Sequence, residues 1–156
     1  MEIRRAREDD IPRLGELLVQ VAAVHHAGRP DLFRAGARKY SDDELAGMLG
    51  DESRPIFVAV DEQGVVAGYA FCVSQRHERD HVLADVRTLY VDDLCVDARL
   101  RGSGVGTALY EHVLGYAREG GYHNVTLNVW SCNPAALRFY EARGLTPQKV
   151  GMEQVL

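Results

Sequence analysis

The chain reads as a mixed α/β domain, and three observations carry that reading. Stretches with strand alternation and stretches with helical spacing follow one another in the order β-α-α-β-β-β-α-β-α-β. The length, 156 residues, suits one core and would leave two half-length domains short of one, so residues 1–156 are expected to form a single domain. A glycine-rich turn, Arg101-Gly102-Ser103-Gly104-Val105-Gly106, joins a strand to a helix.

Each element has its own signal. Residues 2–7 make a short first strand. Asp9 is placed to cap a helix whose first turn tolerates Pro12. Ile11, Leu14, Leu17, Leu18, Val21 and Val24 then recur at helical spacing until Gly28-Arg29-Pro30-Asp31 breaks the run. Ser41-Asp42-Asp43-Glu44 is a capping box that opens a short helix to about residue 50. Residues 56–60 and 65–73 read as two strands, and Asp61-Glu62-Gln63-Gly64 joins them as a hairpin. Residues 74–85 are polar, and a longer strand covers 88–96. The next helix begins near Gly104, carries Val105, Ala108, Leu109, Val113, Tyr116 and Ala117 on one face, and stops at Gly120-Gly121. Residues 124–130 alternate as a strand, Asn133-Pro134 opens a last helix that ends at Gly144, and residues 149–155 read as a final strand.

Composition narrows the class. With 46% hydrophobic and 26% charged residues the chain is neither disordered, collagen-like nor a coiled coil. No apolar run approaches the ~20 residues that span a bilayer. The start, Met1-Glu2-Ile3-Arg4-Arg5, lacks the apolar stretch of a signal peptide, so a cytoplasmic protein is expected. The net charge is −5 and no Lys/Arg block stands out, which argues against nucleic acid and suits a cationic small substrate. The 18 basic residues include only two lysines, Lys39 and Lys149, an imbalance that reads as base composition and not as function. Cys72, Cys95 and Cys132 lie far apart with no histidine at metal spacing, so packed thiols and no metal are expected.

Two stretches carry chemistry. Glycines at 102, 104 and 106 let the backbone curl and approach a ligand. The free amides of the following helix's first turn, with the helix dipole and Arg101, then suit a pyrophosphate. The loop is neither a Walker loop, for no Gly-Lys-Ser/Thr follows, nor a dinucleotide fingerprint, because its glycines alternate. Read alone, it is as well explained by a plain tight turn. The second stretch is Asn133-Pro134-Ala135-Ala136-Leu137-Arg138-Phe139-Tyr140-Glu141. Asn133 and Tyr140 are seven residues apart, so they project from one helix face about 10 Å apart along the axis. Asn133 also suits a plain helix cap, and Tyr140 a core aromatic with its hydroxyl at the surface.

In this order, with one strand between them, the two stretches resemble the GCN5-related N-acetyltransferase family over essentially the whole chain. The family loop Arg/Gln-x-x-Gly-x-Gly/Ala is matched by Arg101, Gly104 and Gly106, and Tyr90-Val91-Asp92-Asp93-Leu94-Cys95-Val96 is similar to its fourth strand. The resemblance implies a mixed, mostly antiparallel twisted sheet that splays between strands 4 and 5, with about four flanking helices. It implies acetyl-CoA as co-substrate, with the pyrophosphate on the amides of residues 101–106, including Ser103 and Val105. The pantetheine arm is then expected to pair with the backbone of Leu94, Cys95 and Val96. Asn133 bonds that arm, and Tyr140 protonates the departing thiolate.

The reaction makes independent demands. An amine that attacks a thioester needs proximity, and a strand amide near Leu94 can bond the carbonyl oxygen as charge develops. Tyrosine holds its proton at neutral pH, and an alkylammonium must lose one before attack. Asp92 and Asp93 are the candidate acceptors of that proton. Neighbouring strand residues face opposite ways unless a bulge intervenes. Asp92 shares parity with Tyr90 and Leu94, so it is preferred, with Asp93 second; a proton path through water or a purely solvated pair stays open. His25, beside Phe33 in the segment between the first two helices, and Trp130, at the end of the fifth strand, are candidates for the acceptor pocket. A helix-end histidine is more often one stabilised by the helix dipole, and a core-edge tryptophan explains Trp130 equally well.

The reading is therefore an N-acetyltransferase acting on a primary amine of a small, cationic acceptor by direct transfer in a ternary complex, off any membrane; a homodimer stays open. A protein N-terminal acetyltransferase and a CoA-binding sensor without catalysis are the rivals. The short segment after Gly144 leaves little room for the family's usual sixth and seventh strands.

Overall fold

The computed structural model describes residues 1–156. Strand β1 (Glu2–Arg5) leads through a 3-10 turn (Glu8–Asp10) into helix α1 (Ile11–Gly28), then α2 (Asp42–Leu49). Strands β2 (Ile56–Val60), β3 (Val66–Gln75) and β4 (Thr88–Val96) follow. A second 3-10 turn (Ala98–Leu100), helix α3 (Val105–Glu119), strand β5 (Asn124–Leu127) and helix α4 (Pro134–Glu141) complete the regular structure. The five strands form one sheet in chain order, antiparallel from β1 to β4, with β5 parallel to β4. The mixed sheet with four helices is the fold class the sequence implies.

The sheet is buried on both faces, which is why β2 is an unbroken apolar run. Its Ile56, Val58 and Val60 face α1 and α2, where Leu14, Leu17, Leu18, Leu45, Tyr69 and Phe71 close one core. Phe57 and Ala59 face α3, where Leu89, Val91, Leu109 and Val113 close the other.

Three features of the sheet build the site. First, β5 pairs with β4 only from Thr88↔Asn124 to Val91↔Leu127, after which β4 runs on against β3 alone and the sheet is open on that side. Second, the β3–β4 register slips at Phe71/Cys72, so that Phe71 opposes Asp93 and Cys72 opposes Val91. Asp92 is the extra residue of a β-bulge. Third, the chain leaves the end of β4 through the second 3-10 turn and the glycine turn into α3, which starts at Val105.

The bulge corrects the strand parity assumed from sequence. Leu89 and Val91 face α3 before it, and Leu94 and Val96 do so after it, while Cys95 turns to α1. Leu94 therefore sides with Val91, not with Tyr90. Four other expectations also change. The first strand ends at Arg5, and the α1 N-cap is Asp10, not Asp9. The Asp10 carboxylate accepts from the Arg7 amide at 2.7 Å and from Arg4. Strand β5 stops at Leu127, short of Trp130. Residues 142–156 hold no strand. Val150, Met152 and Val155 lie exposed, so a strand there would gain neither a ladder nor a buried face.

Asp97 locks the end of β4. It is fully buried, its amide bonds the Ala67 carbonyl at 2.8 Å, and its carboxylate accepts from Arg13 of α1 and from the backbone and guanidinium of Arg99. The Arg99 hydrogen bonds, ahead of Arg13, hold this carboxyl well below the usual range. A depressed carboxyl contributes stability above its unfolded pKa and loses it as pH falls toward the folded value. Asp97→Asn is accordingly expected to cost on the order of 2 kcal/mol at pH 7. In denaturant titrations the gap between variant and wild type should narrow below about pH 4.

Candidate functional site

The opening between β4 and β5 presents backbone groups. Tyr69 pairs with Cys95 in the β3–β4 ladder, and the Asp97 amide bonds Ala67, which sets the alternation. Cys95 directs its amide and carbonyl to β3. Leu94 and Val96 direct theirs into the opening. Of the three strand residues expected to meet a ligand by backbone, only Leu94 and Val96 are so turned. Cys95 is a buried packing residue whose Sγ lies 3.6 Å from the Leu17 carbonyl, and burial pushes its thiol up to about 12.

Below the opening lies the glycine turn. Gly102 and Gly104 have φ of +79° and +90°, which side chains resist, and a Cβ on either would meet open space. Gly104 caps α3 with no side chain, and the first helical bond runs from Ala108 to the Gly104 carbonyl. The amides of Val105, Gly106 and Thr107 thus have no helical acceptor. Arg101 is exposed beside them, and the Ser103 hydroxyl bonds the Leu100 carbonyl. Gly106 serves packing instead. A Cβ there would come within 3.3 Å of the Phe139 ring, so its absence lets α4 lie against α3. The Arg143 guanidinium covers the other side of Phe139, 4.0 Å from the ring centre, and bonds Thr107. Donors, positive charge and open backbone fit the diphosphate and amide arm of a coenzyme A thioester.

Helix α4 brings Tyr140 to the site. Its ring stands edge-on to Tyr110 at 5.9 Å and to Phe139 at 5.1 Å. Burial, reinforced by the nearby Asp93 charge, pushes its phenol well above the ordinary value, so the hydroxyl is protonated at neutral pH. Asn133, at the other end of the helix, caps it through Oδ1, which accepts from the Ala136 amide at 3.2 Å. The cap leaves the Asn133 side-chain amide hydrogens for another partner.

The two aspartates of the bulge have different surroundings. Asp93 accepts from the Tyr69 hydroxyl at 3.1 Å. Burial raises its carboxyl to about 6, against the pull of the Lys39 ammonium. Asp92 is 15% exposed, takes the Lys39 ammonium at 2.9 Å and accepts from the Tyr40 hydroxyl. The Asp92 oxygens are held by a cation and a phenol, whereas Asp93 is buried, has a raised carboxyl and acts by its charge on Tyr140.

His25, Phe33 and Trp130, far apart in sequence, meet at the mouth. The His25 and Phe33 ring centres are 5.0 Å apart, and Trp130 meets Phe33 edge-on at 5.0 Å. The Phe33 carbonyl is held 2.7 Å from His26 Nδ1. Burial, then Lys39, lowers the pKa of His25. Trp130 keeps 44% of its surface exposed and forms one wall. Tyr69, Tyr110, Lys39 and Tyr40 carry no local signal that marks them for the site. Lys39 does stand out as one of two lysines in an arginine-rich chain, but that does not separate use from composition.

A sheet opened at a parallel β4/β5 pair over a glycine-capped helix is the acetyltransferase fold. The family model for the acetyltransferase (GNAT) family matches residues 6–145, and the chain belongs to that family. It is 29% identical over 144 residues to the peptidyl-lysine N-acetyltransferase YjaB of Escherichia coli, spanning 92% of this chain and 81% of that protein. It is 32% identical over 105 residues to the putative phosphinothricin acetyltransferase YwnH of Bacillus subtilis, of which the match spans 61%, against 66% of this chain. The tetramutant of the BH1408 protein from Bacillus halodurans has the same structure, with a TM-score of 0.95, 29% identity and full coverage of both chains. An aminoglycoside acetyltransferase from a soil metagenomic sample, at 20% identity and a TM-score of 0.74 over 99% of this chain and 95% of its own, shares the fold.

Proposed function

We propose that the chain is an acetyl-CoA-dependent N-acetyltransferase that modifies a primary amine of a small cationic acceptor by direct attack in a ternary complex. The observation that carries this reading is the Leu94 and Val96 backbone turned into the β4/β5 opening, with Asp93 next to Leu94 on the strand and its charge acting on Tyr140. Bound acetyl-CoA supplies a thioester acyl group. The amides of α3's first turn and Arg101 hold the diphosphate end, the peptide groups of Leu94 and Val96 align the arm, and Asn133 offers a further donor. The Leu94 N–H stabilises the carbonyl oxygen as negative charge grows. Asp93, near 6, is ionised at pH 7.5 and takes a proton from the amine, and Tyr140 gives one to the departing sulfur. The Asp92–Asp93 pair favours a cation, and Phe33 and Trp130 give it an aromatic wall. The same proposal places the protein in the cytoplasm; no helix is long and apolar enough to cross a membrane.

The test is acetyl-CoA turnover against a panel of polyamines, amino sugars, aminoglycosides, amino acids and N-terminal peptides. Sustained thiol release with a small cationic amine is expected. A best acceptor that is anionic or neutral overturns the acceptor class, and a peptide N-terminus as best acceptor favours the protein-modifying alternative.

Asp93→Asn separates activity from stability. A carboxyl with a raised folded pKa loses stability as pH climbs from its unfolded value to its folded one, about 4 to about 6, and stays penalised above. The variant is therefore expected to be more stable than wild type at pH 8 by on the order of 2 kcal/mol. Its kcat/KM should fall by roughly 10²-fold. Thermal melts and rates on the same preparation check both.

A further inference from the structure

Lys39 places an amine on the β4 bulge beside the opening. Its Nζ is 2.9 Å from Asp92 Oδ1 and 3.3 Å from the Asp92 carbonyl oxygen, on the bulge that leads to Asp93 and Leu94. It comes from the segment between α1 and α2, the same segment that brings Phe33 to the mouth. The other lysine, Lys149, lies in the exposed segment after α4.

We propose that Lys39 is a self-acetylation site, its ε-amine being an acceptor for the acetyl group carried in the adjacent β4/β5 opening. This rests on the acetyltransferase reading above. Leu94 is two strand residues from Asp92, about 7 Å along the chain. Lysine carries its amine on a flexible four-carbon stem, and a part-exposed ion pair holds it weakly, with the Lys39 side chain 44% exposed. The amine is thus free to leave Asp92 by rotation of its own stem. Tethering makes the encounter intramolecular, so it gains over free amines at ordinary concentrations. The Asp93 carboxyl, already under the influence of the Lys39 ammonium, is a buried base on the same bulge.

The step balances with groups already described. The Lys39 nitrogen forms a bond to the acetyl carbon, and the carbon–sulfur bond of the thioester breaks with its electron pair going to sulfur. The nitrogen sheds two protons in becoming an amide. One passes through Asp93 to water, and the other replaces the proton that Tyr140 gives to sulfur. The products are acetyl-Lys39, coenzyme A thiol and one proton. The new side chain is neutral, so Asp92 loses its cation and is left to an incoming ammonium.

The full-length chain is incubated with acetyl-CoA alone and followed by intact mass and peptide mapping. One acetyl group per chain is expected at Lys39, appearing at least roughly tenfold faster than at Lys149. The rate constant should not change when the protein is diluted. Lys39→Arg should lose that label, and Tyr140→Phe should slow it by roughly 10²-fold while leaving slow labelling of Lys149 as it was. An unlabelled Lys39 overturns the proposal. So does equal labelling of both lysines at a rate indifferent to Tyr140, which is spontaneous chemistry. Labelling that slows on dilution marks transfer between chains and also overturns it. The amine panel run on the same preparation separates failures: turnover of free amines with Lys39 unlabelled removes self-acetylation alone, whereas silence in both removes the acetyltransferase reading too.

Discussion

Tyr140→Phe lowers kcat by roughly 10²-fold and leaves the affinity for acetyl-CoA nearly unchanged. The ring is kept, so its edge contacts with Tyr110 and Phe139 persist and α4 stays in place on α3. Only the hydroxyl is lost. In wild type burial and the negative field of Asp93 keep that hydroxyl protonated, so it enters the reaction with a proton to give, though as a weaker acid than a free phenol. A thiolate expelled without a donor leaves more slowly, so the loss falls on kcat and kcat/KM together. Asp93→Asn gives a different pH profile. Removing the base should hurt most above about pH 6, where the wild-type carboxyl is ionised and the amine still carries its proton, and least below it, where that carboxyl is protonated too, while removing the acid should hurt most where departure of sulfur limits. A kcat for Tyr140→Phe within twofold of wild type, with chemistry shown to limit the rate, makes Tyr140 a packing residue.

Gly104→Asp abolishes cofactor binding with the fold intact. The residue has φ +90° and caps α3 where the free amides converge. A carboxylate there meets the diphosphate with like charge, a penalty of about 3 kcal/mol or roughly 10²-fold in Kd. It also bonds the very amides that the ligand needs, because aspartate is a strong N-cap. Nothing within 4 Å opposes the added Cβ, so the protein bears only the backbone strain. Gly104→Asn carries the same strain without the charge and tolerates left-handed backbone, so the difference between the two variants in calorimetry isolates the electrostatic part. Equal affinity for wild type and Gly104→Asp removes the loop assignment.

How far the site was legible in sequence follows from the range of the forces involved. The glycine turn, the capping box at Ser41 and the N-cap at Asn133 are local devices, and each stands in the structure where its residues indicate. The meeting of His25, Phe33 and Trp130 was open to inference only through the resemblance, since no local rule joins residues 25 and 130. The bulge defeated parity counting. It depends on how β3 and β4 register against each other, and Val91-Asp92-Asp93-Leu94 alternates no differently with one or without. Parity with Leu94 had been the ground for ranking Asp92 over Asp93, and the bulge removes that ground. The tail failed for a related reason: residues 149–155 have strand composition, but a strand exists only with a partner edge. The pairing of Lys39 with Asp92 was invisible because an ion pair over a separation of 53 residues leaves no periodic trace.

Direct transfer is tested most directly by continuous thiol release at saturating acetyl-CoA, with and without the best amine, in protein carrying Lys39→Arg so that no internal acceptor contributes. Many turnovers with amine, none without it, and intersecting initial-velocity lines are the predicted result. A stoichiometric burst of thiol in the absence of amine, with parallel lines, contradicts it by demanding an acyl-enzyme. Tight binding of acetyl-CoA with no release for any amine contradicts it by making the chain a binding domain.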